Sequence, residues 1–469
     1  MRLDFATIAA VSTPPGAGGI GVIRISGPDA SVIAGKVFRR PDGTVLDIQA
    51  TQSHRVIFGQ ICDPHSRALI DEVLLTWMAA PHTYTCEDVV EISCHGGPVP
   101  VQETLRVVLG QGARHAEPGE FTLRAFVNGR LDLTQAEAVL NVVDARTAEG
   151  LQLAIEDLRG EMTRRIAPAR NALVSLLAYL DAAADFPDDE IPPTDIDSDL
   201  STAVTALEAI IAGARAGMLY REGAQVALVG RPNVGKSSLM NALLRSDRAI
   251  VTPIAGTTRD VISETCNIQG IPVTLLDTAG IADTADIVER LGIERSQRAL
   301  SAASVAVLVL DGSVPPAKDD RAIAGLLGHR LSSPDSISIP VVVAVNKRDL
   351  PERASQQAVI DRLSGAAVVS VSSQTGDGLE ELETAVVAGL SAGSGSVAQP
   401  ALITARQRAA LDRARDHLAE ASATRAAELP IDLMATDVRA ALYAIGEVTG
   451  ENIDEAVLTE IFSRFCIGK

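Results

Sequence analysis

The sequence predicts a multidomain chain: an α+β N-terminal domain, an all-α domain, and an α/β domain inserted between the two parts of the helical one. Three observations predict this. Short β-like runs punctuated by Gly and Pro fill residues 1–120. Near-continuous apolar runs alternate with helix-length segments between 221 and 390, as in a parallel sheet covered on both faces. Helical patterning occupies 121–220 and resumes over 391–469. A chain of 469 residues is also too long for one ordinary core.

In the first domain the runs GVIRIS, RVIFGQI, EVLLTWMA and DVVEIS read as strands. The helical part then shows Leu173, Leu176, Leu177 and Leu180 at i, i+3, i+4, i+7, one stripe of a helix. The acidic, proline-rich stretch DFPDDEIPPTDIDSD (185–199) reads as a loop interrupting it. The inserted domain takes its strands from QVALVG, PVTLLD, SVAVLVLD, PVVVAVN and AVVSVS. SAGSGSVAQ (391–399) is a flexible linker by composition. The last helix is expected to start at Asn452 as N-cap with Glu455 three residues on, and to present Leu458, Ile461, Phe462 and Phe465 on one side.

Composition is that of a globular chain, 46% hydrophobic and 22% charged. The opening MRLDFATIAAVSTPP fits neither a signal nor a transit peptide. No stretch approaches the roughly 20 uninterrupted apolar residues of a membrane span, so a cytoplasmic protein without a membrane partner is expected. Cys62, Cys86, Cys94, Cys266 and Cys466 are odd in number and lack CxxC spacing, which suggests neither a disulfide framework nor a zinc site. The net charge of −19 argues against broad attraction to nucleic acid. Residues 1–130 are more balanced, with 11 Lys/Arg against 13 Asp/Glu, so RNA contact would need a local basic patch.

GRPNVGKS (230–237) follows a strand and precedes the helix-like SLMNALL. Its glycines let the backbone N–H groups of Asn233, Val234, Gly235, Lys236, Ser237 and Ser238 wrap phosphates. The Lys236 ammonium reaches the β/γ oxygens and Ser237 can ligate Mg²⁺. NKRD (Asn346, Lys347, Arg348, Asp349) ends a later strand. Asp349 can accept hydrogen bonds from guanine N1–H and the 2-amino group, donors that adenine does not offer, so GTP is expected and not ATP. A site built around such donors rejects the analogue lacking them by about 10⁴-fold or more. Ser372, Ser373 and Gln374 stand where a further contact to the base is expected.

The stretch VTPIAGTTRD supplies Thr252, Pro253, Ile254, Ala255, Gly256, Thr257 and Thr258, with Thr258 as a second Mg²⁺ ligand. DTAG (Asp277, Thr278, Ala279, Gly280) approaches the γ-phosphate. Together these define an α/β Ras-like P-loop GTPase domain. Ile281 stands where Ras-type enzymes place a water-orienting glutamine. Either this is a switch that barely hydrolyses, or another group does the glutamine's work.

The full set of motifs resembles the MnmE/TrmE family of tRNA-modifying GTPases. Beyond the GTPase elements the resemblance rests on TPPGAGGIGVIRISGP, YTCEDVVEISCHGG, PGEFTLRAFVNGRLDLTQAEAV, VERLGIERS and the terminal FCIGK. It implies hydrolysis activated by K⁺, held by Asn233 and by Thr252, Ile254 and Thr257. On residues alone Asn233 is also an ordinary turn-capping residue. Glu289 matches the family's water-orienting glutamate, and otherwise reads as a solvated helix-face carboxylate beside Arg290 or Arg295. The resemblance further implies an N-terminal domain that is folate-binding-like and takes a 5-formyltetrahydrofolate-type folate, with Arg24, Glu87, Arg130 and Lys469 as contacts. It implies a homodimer through that domain, and a heterotetramer or larger assembly with an FAD protein of the MnmG/GidA family. The activity implied is addition of an aminomethyl-type group to C5 of the wobble uridine (position 34) of certain tRNAs.

Three departures stand out: Ala282 and Ala17 where the family often has arginine, and Arg130 where lysine is common. Cys466 is either a reactive thiol or a small apolar group at a helix end. Two other readings are a ribosome-assembly GTPase of the Era/Der type and a GTP-dependent scaffold without chemistry of its own.

Overall fold

Strands of two to ten residues, the longer ones rich in β-branched side chains and bounded by glycine and polar turns, build two sheets in a computed structural model. It describes all residues except 1–4, 187–191, 193, 245–262, 278–299, 301, 333–338, 352–353, 364, 392–398 and 469. The chain divides into two compact units. One comprises Met1–Leu140, Asp157–Asp199 and Asp416–Lys469; the other comprises Asn141–Glu156 and Leu200–Arg415.

The first unit opens with β1 (Ile8–Val11), β2 (Ile20–Ser26), helix α1 (Ala30–Val37) and β3 (Phe38–Arg39). Next come β4 (Arg55–Cys62), β5 (Leu69–Met78), β6 (Val89–His95), α2 (Pro98–Leu109) and β7 (Arg114–His115). The sheet order is β3-β4-β5-β6-β2-β1-β7, and all pairs are antiparallel except β1–β7. Alternation sends Ile23, Ile25, Leu75, Trp77, Val90 and Ile92 into a core shared with Ile33, Val37, Val107 and Val108 of α1 and α2. At β4–β5 the pleat turns Val56, Phe58 and Leu74 to solvent, with Phe58 and Leu74 directly paired.

Next come α3 (Glu120–Val127), α4 (Leu133–Asp144), α5 (Ala148–Leu158), α6 (Glu161–Asp185) and α7 (Ile196–Glu222). In α6 the predicted stripe buries Leu173, Leu176 and Leu180, while Leu177 is half-buried. The loop expected over 185–199 is shorter, because helices occupy Asp185 and everything from Ile196. By length and composition α7 is apolar enough to cross a membrane, yet it buries Leu200, Ala203, Leu207, Ile210 and Ala214 inside the protein.

The second unit's sheet follows: β8 (Ala224–Val229), α8 (Lys236–Leu244), β9 (Ser263–Ile268), β10 (Ile271–Asp277) and β11 (Val305–Asp311). It continues with α9 (Lys318–Ser332), β12 (Val341–Asn346), α10 (Gln357–Ile360), β13 (Ala367–Ser370) and α11 (Leu379–Ser391). Strand order is β13-β12-β11-β8-β10-β9. The apolar runs are continuous because both faces are covered. Val305, Val307 and Val309 meet Leu239 and Leu243 of α8 and Leu382 and Val386 of α11. Ala306, Leu308 and Leu310 meet Ala324 and Leu327 of α9 and Val359 of α10.

The five apolar runs form the expected parallel strands, and one further strand that was not expected, β9, joins β10 antiparallel. Its sequence, SETCNI, is too polar to announce a strand, and among its described side chains Cys266 and Ile268 alone are deeply buried. Its turn, Gln269-Gly270, has positive φ at both residues, the geometry of a two-residue hairpin without the usual Asn-Gly signal.

Helices α12 (Ala405–Ala426), α13 (Ile431–Thr449) and α14 (Glu455–Ser463) close the chain. Within the first unit α13 lies along α6, with Arg439 and Arg170 paired to Asp181 and Glu451. Phe462 and Phe465 pack with Leu123, Leu133 and Val139. The cap expected at Asn452 is instead Asp454, whose carboxylate accepts from Ala456 N at 3.0 Å. Both residues are good caps, and here the one adjacent to Glu455 takes the role.

Candidate nucleotide and anion sites

Strand β8 delivers the glycine-rich loop to the C-terminal edge of the sheet, where open α/β folds bind ligands. The loop lies tight against its neighbours. A Cβ on Gly230 would sit 2.5 Å from Val309 O, and one on Gly235, with φ of +98°, 2.3 Å from Asn346 Nδ2. Asn233 adopts φ of +64°, a left-handed position that asparagine tolerates. Lys236 is buried and donates to Gly230 O at 2.8 Å and Arg231 O at 2.9 Å. Burial pushes its ammonium below the ordinary lysine pKa, with Asp277 acting the other way.

Ser237 Oγ donates to Asp277 Oδ2 at 2.9 Å. A P-loop hydroxyl facing a strand-end carboxylate is the donor set that holds Mg²⁺ in P-loop NTPases, so these residues fit that ion.

At the end of β12, Asn346 is buried. Its amide donates to Val234 O at 3.0 Å and Ser373 Oγ at 3.2 Å, and accepts from Ser373 N at 3.0 Å. Asp349 Oδ1 accepts from Ser372 Oγ at 2.6 Å, so Ser372 supports that carboxylate. The same hydroxyl accepts from Gln374 N at 3.3 Å. Lys347 reaches back to Asp311, while Arg348 N donates to Val371 O at 2.9 Å. The structure thus brings 233–238, Asp277, 346–349 and 372–374 to one edge of the sheet. Ser238, the next residue of α8, is exposed. The expectations placed on 252–258, 278–280, Ile281, Ala282, Glu289 and Lys469 lie outside the described residues. Sequence reasoning passed over Asp311; its place at the end of a buried strand was the available signal.

A second constellation lies in the first unit. Arg24 on β2 pairs across the ladder with Glu91 of β6, at 2.7 Å. The Arg24 guanidinium is 5.5 Å from the centre of the Tyr84 ring, and that of Arg130 is 4.7 Å from it. Arg130 also donates to Tyr84 O. Glu87 accepts from Ser26 Oγ at 2.7 Å and from Arg124 Nη1 at 3.0 and 3.1 Å. Arg124, buried, donates in addition to Ala6 O and Glu120. Burial pushes the Glu120 carboxyl up, but Arg114, the Glu117 N–H and Arg124 outweigh it and hold it below the usual range.

Tyr84 and Arg124 were missed from sequence. Each lies in the same quoted block as a chosen residue, and only the fold shows that Tyr84 meets Arg24 and Arg130 and that Arg124 is buried against Glu87. Cys466 is exposed, and Gly468 lies against β1, its carbonyl accepting from Ser12 Oγ at 3.1 Å.

Two family models match the chain: "GTP-binding protein TrmE N-terminus" over residues 7–130 and "MnmE helical domain" over residues 133–466. The tRNA modification GTPase MnmE of Chloroflexus aurantiacus is 48% identical, covering 99% of both chains. The protein of the same name from a Roseiflexus species is 47% identical with equal coverage. Among solved structures, Era in complex with MgGDPNP and a 16S ribosomal RNA segment is 27% identical. That match covers 41% of this chain and 66% of that chain, with a TM-score of 0.28, too low to argue from.

If Asp349 reads the guanine 2-amino group, Asp349→Asn should weaken GTP binding at least about 100-fold and favour xanthosine triphosphate, whose 2-oxo group an amide can donate to. Competition binding of the two nucleotides checks this; an unchanged preference for GTP would remove Asp349 from base recognition.

Proposed function

Because this chain belongs to the MnmE family of tRNA modification GTPases, and is a GTP hydrolase, we propose that it is a K⁺-activated GTPase working with an FAD-containing partner of the MnmG/GidA family. Together they add an aminomethyl or carboxymethylaminomethyl group to C5 of uridine 34 in certain tRNAs. The observation that carries this reading is the presence of two separate polar sites in one chain. One is a P-loop site with a paired Ser237 and Asp277. The other places Glu87 on a Ser26–Arg124 cradle beside the Arg24–Tyr84–Arg130 stack. A ribosome-assembly switch or a bare scaffold has no use for the second. The proposed domain organisation is a folate-binding-like domain over 1–120, helical parts over 121–220 and 391–469, and the GTPase domain over 221–390, all in the cytoplasm.

At the first site the phosphates displace Lys236 from the Gly230 and Arg231 carbonyls and take its ammonium. Ser237 and Asp277, with Thr258, would hold Mg²⁺. Asn233, Thr252, Ile254 and Thr257 would hold K⁺, which supplies positive charge at the breaking bond. That is the task of an arginine finger, worth about 10³–10⁵ in rate. Glu289 orients the attacking water, so Ile281 need not.

At the second site Glu87 pairs with the adjacent N–H and amino donors of a pterin. Arg24 and Arg130, with Lys469, hold the folate's glutamate carboxylates. The exposed Val56, Phe58 and Leu74 on β4–β5 favour a second copy of this chain as the occupant of that face, since a two-fold contact of the N-terminal domains would cover it on both copies at once.

Three measurements test these proposals. GTP hydrolysis at matched ionic strength should be at least severalfold faster in K⁺ than in Na⁺, and Glu289→Ala should remove most of the K⁺-stimulated rate. Equal rates in the two salts defeat the cation assignment. Titration with 5-formyltetrahydrofolate should show saturable binding that Glu87→Gln weakens about tenfold or more, the scale of a lost charged hydrogen bond; an unaltered affinity removes Glu87 from the site. Phe58→Asp should convert the dimer to monomer in light scattering, and a persisting dimer would place the contact elsewhere.

A further inference from the structure

We propose that Asp311 is a positioning residue of the GTP site, its carboxylate tying Lys347 of the base-reading loop to Arg231 of the phosphate loop. The inference rests on the reading of Asn346–Asp349 as the base-reading loop and goes beyond it.

Asp311 is the last residue of β11 and is buried. Its Oδ2 accepts from Lys347 Nζ at 2.6 Å and lies 4.0 Å from Arg231 Nη2. Its Oδ1 is occupied by Ser313, through the backbone N–H at 3.0 Å and the hydroxyl at 2.6 Å, which fixes the carboxylate's orientation. Arg231 is held from its other side by Asp320, 3.2 Å from Nε and almost fully buried. Asp320 in turn accepts from Ala317 N at 2.8 Å. Two cations from separate loops, which would otherwise repel, are thus neutralised by two acids. Burial favours the neutral form of Asp311, but the hydrogen bonds from Lys347 and Ser313 outweigh it and keep the carboxyl below its usual range.

The backbone around this pair is fixed as well. Gly312 N donates to Asn346 O at 2.9 Å, and Gln356 Nε2 donates to Asp311 O at 3.0 Å and Val314 O at 2.9 Å. Lys347 itself has φ of +66°, uncommon for a residue with a Cβ. The ion pair holds the end of a side chain whose backbone is already in that unusual conformation. A charge placed between the two loops makes the position of each depend on the other, so a nucleotide that orders one end orders the other.

The test uses the full-length protein and the release of a fluorescent GDP analogue. Asp311→Asn keeps the shape and removes the charge. It should speed release about tenfold, and KM for GTP should rise more than kcat falls. Coupling is read from Arg231→Gln and Lys347→Met. With Asp311 present the double variant should be clearly less impaired than the product of the two single effects, because each single change already breaks the shared bridge. With Asn at 311 the effects should multiply. Release within twofold of the parent, or multiplicative effects with Asp311 present, overturns the proposal. If Asp311→Asn does not fold, the cycle in the Asp311 background decides alone. Failure of the base-reading assignment shows separately, as Asp349→Asn retaining its GTP preference.

Discussion

One buried amide, that of Asn346, is shared among three loops at the C-terminal edge of the second sheet. It donates to Val234 O and Ser373 Oγ and accepts from Ser373 N. In a parallel sheet the ladder ends where the strands end, and the loops beyond have no backbone register to hold them together. Side chains must do that work. Asn346 suits it because an amide both donates and accepts within about 3 Å, and because its position as the last residue of β12 fixes where it points. Removing it would leave the Val234 carbonyl and the Ser373 N–H without this partner; a polar group left unpaired inside a protein costs roughly 1–3 kcal/mol. The placement of Lys347, Asp349 and the phosphate loop relative to one another follows from this junction.

The same logic recurs in the first unit with charges in place of an amide. Arg124 meets Glu87, Glu120 and the Ala6 carbonyl, and Arg114 completes Glu120. Burying such ions costs several kcal/mol each unless every donor finds an acceptor, and Arg124 is well matched here. The consequence is rigidity where a ligand would need it. Glu87 is oriented by Arg124 and Ser26.

Most of the architecture was legible because hydrophobic runs of helix or strand period mark buried elements whatever their contacts. Strands β2, β4, β5 and β6 of the first sheet, the five apolar strands of the second and the leucine stripe of α6 were readable in this way, whereas β1 and the two-residue β3 and β7 were too short to be read. β9 was not readable either, because an edge strand with one buried face needs only Cys266 and Ile268, and its Gln-Gly turn carries a weak signal. The choice between Asn452 and Asp454 as cap turned on a two-residue shift that patterning does not resolve. At the sites, residues held in short motifs were visible as motifs. Asp311, Asp320, Arg124 and Tyr84 were not, since their importance lies largely in contacts with residues distant in the sequence, such as Lys347 for Asp311, Arg231 for Asp320 and Ala6 for Arg124.

Lys236 shows what burial does to a cation held by backbone carbonyls. An ammonium in a buried loop has lost much of its water, and two backbone carbonyls compensate only in part, as its lowered pKa indicates. Anionic phosphate oxygens are stronger partners than neutral carbonyls for the same cation. Replacing one by the other therefore recovers free energy already spent on desolvation when the chain folded. Contacts through Asn346, Asp277 and Gly230 hold the loop in place around this lysine. Part of the desolvation cost of a buried cation is in this sense met when the chain folds.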